Sequence, residues 1–265
     1  MCRWAAWIGQ PIFLEEIISR PDHSLIVQSR QADECKTATN ADGFGIAWYD
    51  HRTEPGLYRD VYPAWSDPNL AAVARQVKSR LFLAHVRAST GSAISRNNCH
   101  PFAVGRWSFM HNGQVGGFEA VRKQVDMAIP DALYPDRKGA SDSEAIFLTA
   151  LGLGLDTRPV AAMEEAVAQI QLLSEDRGTA PHMRLSAAYS DGASLYAVRY
   201  ASDTRAPSLY YRYCRQLRGY MVVSEPLMTG GSGWEEVPQG SICTFTDTGV
   251  ERRDFLSDIP SDCAA

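Results

Sequence analysis

The chain begins with an unbroken apolar and aromatic run, residues 2–8 (CRWAAWI), which predicts a buried strand. Residues 13–19 (FLEEIIS), after Pro11, alternate as a short amphipathic helix does. Residues 40–49 (NADGFGIAWY) begin in turn chemistry and end as a strand. Asp67-Pro68 introduces a predicted helix over 69–77, with Pro at its first turn, and LFLAHV at 81–86 predicts a second buried strand. The strand predicted at 107–110 runs into His111-Asn112-Gly113-Gln114, where Asn-Gly signals a tight turn and favours a hairpin. Ser141 stands three residues before Glu144 and just ahead of the apolar run 145–153, the pattern of a capping box. That places Asp142 in the first helical turn, where the helix dipole favours an acid. A second amphipathic helix is predicted over 159–174.

The rest reads as strands: 184–189 and 194–200 about an Asp191-Gly192 hairpin, then 208–213, 219–224, 241–246 and 250–254, with a flexible Gly-rich loop at 230–233. Strands, then two central helices, then strands predict two sheets covered by helices in one domain spanning 1–265.

Composition narrows the classes. A chain of 265 residues, 45% hydrophobic, has the material for a substantial core. The net charge of −5 disfavours non-specific nucleic-acid binding. No apolar window reaches the roughly eighteen residues of a membrane span, and no secretory leader is recognisable. The six cysteines lack CxxC spacing and the six histidines are scattered, so reduced thiols in the cytoplasm are expected, with no metal. GGSG lacks the Lys-Ser/Thr of a phosphate loop, and no cofactor is implied.

Chemistry starts at Cys2. Removal of Met1 would give this residue a thiol and a free α-amine together. A free thiol titrates near ~8.5 and an α-amine near ~8, so the amine is suited to act as the thiol's base. Downstream stand Arg87 in HVRAST, Asn112-Gly113 in HNGQ and Asp142 in SDSE, with NADGFGIAWY and VVSEP before and after them. In this order, behind a second-position Cys, the chain resembles the class II glutamine amidotransferases. More narrowly it resembles their stand-alone members, including the γ-glutamyl amidase of ergothioneine biosynthesis.

The resemblance implies an α+β fold, a four-layer α/β/β/α sandwich of mostly antiparallel sheets, as in N-terminal nucleophile hydrolases. It implies that Cys2 attacks the γ-amide of glutamine or of a γ-glutamyl compound, and that the Asn112 amide and the Gly113 N–H hold the oxyanion. It further implies that Arg87 forks onto the substrate's α-carboxylate, that Asp142 pairs with its α-ammonium, and that Thr90 and His100 line or support the pocket. About forty residues follow Glu225, too few for a synthase domain. Ammonia would then go to a separate partner, or the chain is a hydrolase that releases an amine. Two other classes compete: a binding or regulatory module that kept the fold without activity, and an N-terminal-nucleophile peptidase or acylase of another family. Release of free glutamate separates them.

Overall fold

Both faces of the first strand are buried, and this sets the layering. In β1 (Arg3–Phe13), Trp4, Ala6 and Ile8 point to one side, while Ala5 and Trp7 point to the other. The structure, a computed structural model, describes residues 2–34, 39–89, 92–228 and 233–256. Thr90 and most of the Gly-rich 230–233 stretch fall outside the described residues.

After β1 come helices α1 (Glu15–Ile18) and α2 (Leu25–Arg30), strands β2 (Phe44–Tyr49) and β3 (Gly56–Asp60), helix α3 (Pro68–Gln76) and strand β4 (Lys78–Val86). Strands β5 (Phe102–Val104) and β6 (Trp107–Val115) precede helices α4 (Phe118–Ala128), α5 (Asp142–Gly152) and α6 (Pro159–Arg177). Seven strands close the chain: β7 (Met183–Ser190), β8 (Leu195–Ala201), β9 (Tyr210–Cys214), β10 (Gly219–Val223), β11 (Glu235–Glu236), β12 (Ser241–Thr246) and β13 (Gly249–Asp254).

One sheet has the order β11-β9-β10-β1-β4-β2-β3 and the other β13-β12-β8-β7-β6-β5. The strand pairs are antiparallel. Trp4, Ala6 and Ile8 meet Met110, Ala188 and Phe245 of the other sheet in a shared core. The outer face of the first sheet packs Trp7 and Phe82 against Ile17 and Leu70 of α1 and α3. The outer face of the second packs Phe109 and Leu185 against Phe147 and Ile170 of α5 and α6. The result is the expected α/β/β/α sandwich, with β1 central in its sheet.

Two local expectations are corrected. Asn112-Gly113 makes no turn. Strand β6 runs straight through it, with Asn112 opposite Ser186 and Gly113 opposite Leu185. Pairing with β7 over eight residues outweighs the local turn preference of Asn-Gly. The capping box is half made: Ser141 caps α5, its Oγ accepting from the Glu144 N–H at 3.3 Å. The Glu144 carboxylate does not reach back to Ser141 but takes Arg137 Nη1 at 2.8 Å and the Gly139 N–H at 2.7 Å. A buried guanidinium is a stronger partner for that carboxylate than a backbone amide. No helix among the described residues is long and apolar enough to cross a membrane.

Candidate active site

Cys2 stands at the head of β1, and the start of that strand is tied down from two sides. The Trp4 N–H donates to Ser224 Oγ at 2.9 Å, and the Ser224 N–H to the Trp4 carbonyl at 3.0 Å. Arg3 is fully buried, and its Nη1 donates to the Cys2 carbonyl at 3.3 Å. Its Nε lies 2.7 Å from Glu225 Oε2 but off the N–H direction, so the contact is an ion pair and not an aligned hydrogen bond. Burial pushes the Glu225 carboxyl up, but His23, the N–H groups of Asp33 and Glu34, and Arg3 outweigh it and hold the group below its ordinary value. Among the described residues His23, Asp33 and Glu225 are the one group at metal-ligand spacing. The Glu225 oxygens there already serve Arg3, His23 and two backbone amides, so the cluster is an ion-pair knot that anchors β1.

A pocket of about 180 Å³ opens over the end of β1. Cys2, Arg87, His100, Asn112, Gly113 and Asp142 all line it. These are the sequence-predicted site residues with the exception of Thr90. The half-buried Cys2 thiol donates to the Ala88 carbonyl at 3.6 Å.

Asn112 faces the space between the sheets, on the side of the strand that carries Met110. It is 1% exposed, and neither its Nδ2 nor its Oδ1 has a partner among the described residues. Gly113 is required where it is: a Cβ there would run into the Arg184 carbonyl and the His111 ring.

Arg87 follows β4 and is 3% exposed. The guanidinium is folded onto its own loop. Nη2 meets Ser92 Oγ at 2.7 Å and Ser89 Oγ at 3.1 Å, with the Ser92 and Ala93 carbonyls each at 3.3 Å. Nη1 donates to the Asp42 carbonyl at 3.4 Å. The Asp42 carboxylate accepts the Ser89 N–H at 2.7 Å, which fixes the same loop.

Asp142, the first residue of α5, accepts the Val115 N–H at 2.9 Å and the Ser143 N–H at 2.7 Å. The capped helix and the end of β6 therefore hold its carboxylate jointly.

Three buried imidazoles cluster at the pocket, two of which, His100 and His111, line it. His111 donates from Nε2 to the Arg184 carbonyl at 3.1 Å and accepts the Ser143 hydroxyl at Nδ1, 2.9 Å away. Burial lowers its pKa, against the pull of Asp142. His85 is pushed down to about 3 by burial, and His100 well below its ordinary value by burial and by His85. The His85 and His100 rings lie 4.3 Å apart, tilted by 33°, and both His100 nitrogens lack partners among the described residues. His100 is thus a neutral wall residue.

Asn98 was not singled out from the sequence. Its Nδ2 donates to the Ala93 carbonyl at 2.9 Å and its Oδ1 accepts the Ala140 N–H at 2.8 Å. It joins the loop around Arg87 to the loop that leads into Asp142. Arg137 reinforces the second loop by donating to the Ser141 carbonyl at 2.8 Å. Neither residue carries a motif, so only the fold reveals them.

Comparison with known proteins identifies the family. The family described as glutamine amidotransferases class-II matches residues 20–217. The Saccharomyces cerevisiae protein named "Probable glutamine amidotransferase DUG3" is 33% identical, over 92% of this chain and 82% of its own. The γ-glutamyl-hercynylcysteine sulfoxide hydrolase of Mycolicibacterium smegmatis is 30% identical, over 94% of this chain and 98% of its own. A solved structure described as a glutamine aminotransferase class-II domain protein, from Silicibacter pomeroyi, superposes with a TM-score of 0.78 at 52% identity, covering 96% of this chain and 99% of that one. The chain belongs to the class II glutamine amidotransferases.

Proposed function

We propose that this enzyme hydrolyses the γ-amide of glutamine or of a γ-glutamyl compound, with Cys2 as an N-terminal nucleophile. The observation that carries the reading is the pairing of the Cys2 thiol with a buried, unpartnered Asn112 amide on one pocket. A donor left without a partner in a dry site is suited to an oxyanion that exists only during reaction.

With Met1 removed, the Cys2 α-amine takes the thiol proton as sulfur attacks the amide carbon. The oxyanion is held by Asn112 Nδ2 and the Gly113 N–H. The carbon–nitrogen bond breaks, and the departing nitrogen receives the proton from the α-amine. Water then cleaves the γ-glutamyl thioester, releasing glutamate and restoring the thiol.

Asp142 takes the substrate's α-ammonium, because each of its oxygens keeps a lone pair after accepting backbone N–H groups. Arg87 takes the α-carboxylate, which displaces the Ser92 contacts from Nη2. Thr90 and His100 are assigned to the pocket wall.

The Mycolicibacterium relative, matched over nearly its whole length, is named as a γ-glutamyl-hercynylcysteine sulfoxide hydrolase. This supports a single domain that works alone, with the amine as product, over delivery of ammonia to a separate synthase. A nucleophilic thiol also suits the reducing cytoplasm.

The test is glutamate release from glutamine by the purified chain and by Cys2→Ala. The variant should fold and release none. Glutamate release at the wild-type rate would overturn the mechanism.

A further inference from the structure

Arg3 is fully buried at the start of a strand whose following residues, Trp4 to Ile8, are apolar, an expensive place for a cation. Ala5 and Trp7 face the helices over the first sheet. Arg3 shares their parity, so its side chain points away from the space between the sheets. Cys2 and Asn112 line the pocket, and Arg3 does not. Arg3 reaches the reacting residue through the backbone instead, its Nη1 donating to the Cys2 carbonyl at 3.3 Å.

The guanidinium is locked from behind. Its Nε lies 2.7 Å from Glu225 Oε2. That oxygen also accepts the Glu34 N–H at 3.1 Å, while Oε1 meets His23 Nε2 at 2.6 Å and the Asp33 N–H at 2.9 Å. Gln28 Nε2 donates to the Glu225 carbonyl at 3.3 Å and fixes its backbone as well. A buried ion pair adds little or no stability over apolar side chains of similar size. Stability does not explain why a cation stands at position 3, whereas the hold on Cys2 does.

Cys2 needs such a hold. Without Met1 it is a chain end. The ladder of β1 with β4 begins at Arg3, opposite Val86, and the ladder with β10 at Ala5, opposite Val223. Neither ladder includes Cys2. The peptide that joins Cys2 to Arg3 is planar, so holding its oxygen fixes the axis about which the Cys2 amine and thiol turn. An amine that must serve as base to a thiol on the same residue depends on that axis.

We infer that Arg3, locked by Glu225, is a positioning residue that aims the Cys2 amine and thiol by holding the Cys2 carbonyl. The inference rests on the N-terminal nucleophile proposed above. The experiment measures kcat and KM for glutamate release from glutamine, with turnover expressed per folded molecule, together with the melting temperature. It compares the wild type with Arg3→Lys, Arg3→Met and the double variant Arg3→Met/Glu225→Gln. Arg3→Met strands the Glu225 carboxylate and should melt lower. The double variant removes both charges, and its Gln oxygen still accepts a backbone N–H, so most of that loss should return. Its kcat should not return: both Met variants should turn over about 10²-fold more slowly, as a small misplacement of reacting groups costs. KM should stay within about twofold, because Arg87 and Asp142 are untouched. Arg3→Lys keeps the ion pair, but one ammonium cannot serve the carboxylate and the carbonyl as the fork does, so kcat should fall by about tenfold. A purely structural role would bring kcat back together with the melting temperature. Wild-type kcat in the double variant or in Arg3→Lys, or a loss confined to KM, overturns the positioning role while leaving hydrolysis standing. No glutamate from the wild type overturns the hydrolysis proposal and the positioning role together.

Discussion

Arg87 and Asn112 line the same pocket and are almost equally buried, yet the protein provides for their polar atoms in opposite ways. Arg87 has five acceptor contacts from its own loop and from Asp42. Asn112 has none for either amide atom among the described residues. Burying a cation without partners is prohibitive, so Arg87 must be satisfied before any ligand arrives. A buried amide without partners costs about 1–3 kcal/mol, which a fold can carry. In the proposed reaction the charged group would exchange partners when substrate binds, and the neutral group would gain one as the oxyanion forms. Recognition and rate should therefore divide between them.

Replacing Asn112 gives the largest effect. Asn112→Ala should lower kcat by about 10² to 10³ with little change in KM, as expected for a transition-state donor. Because the amide is unsatisfied in the resting protein, the same variant should keep or raise its melting temperature. A rise in KM at constant kcat would return Asn112 to ground-state binding and dissolve the contrast.

Arg87→Lys should fail in the opposite sense. Lysine keeps the charge but cannot reach the Ser92, Ala93 and Asp42 acceptors together. KM for glutamine should rise by about thirtyfold or more, equivalent to about 2 kcal/mol, and the protein should lose stability. Thermal unfolding and steady-state kinetics on one preparation check both.

Asp142→Asn sharpens the recognition half. Asparagine's amide nitrogen cannot accept the N–H that one carboxylate oxygen accepts in the native protein, and the charge facing the α-ammonium is lost. The preference for glutamine over α-N-acetyl-glutamine should shrink by about tenfold. An unchanged preference would remove Asp142 from substrate recognition.

The smallest effect, taken per group, belongs to the buried histidines. His85 is held down near 3, and burial lowers His100 and His111 as well. Unfolded, each titrates near ~6.5. Below that pH the unfolded chain takes up protons that the native chain refuses. Stability present above ~6.5 is therefore lost as pH falls, for His85 by about 1.4 kcal/mol per unit. For His85 the loss continues toward its folded value. Denaturant unfolding at pH 7.5, 6.5 and 5.5 checks the slope, and a flat profile would show that these rings protonate in place.

What the sequence disclosed, and what it hid, follows the same division between local and long-range causes. The strand at 81–86, the Asp191-Gly192 hairpin and the Ser141 cap are written in adjacent residues, and they form as read. Asn112-Gly113 misleads because its fate is set by β7, some seventy residues away. Helix α4 was missed, although Val121 and Val125 bury one face at helical spacing. Asn98 and the Arg3–Glu225 pair act on residues distant in sequence, Arg137 closes a loop onto Ser141, and no local pattern marks any of them. The candidate site was legible because the family's motifs name its residues. The folding of Arg87 onto Ser92 was not, since it depends on how a loop closes on itself.

The central claim is that Cys2, freed of Met1, forms the covalent intermediate, and acid quenching of the enzyme during turnover on glutamine tests it most directly. Mass analysis of the N-terminal peptide should find Cys2 as the first residue, with a fraction carrying a γ-glutamyl thioester that hydroxylamine removes. An active enzyme that retains Met1, or a glutamyl adduct on any other residue, would contradict the account.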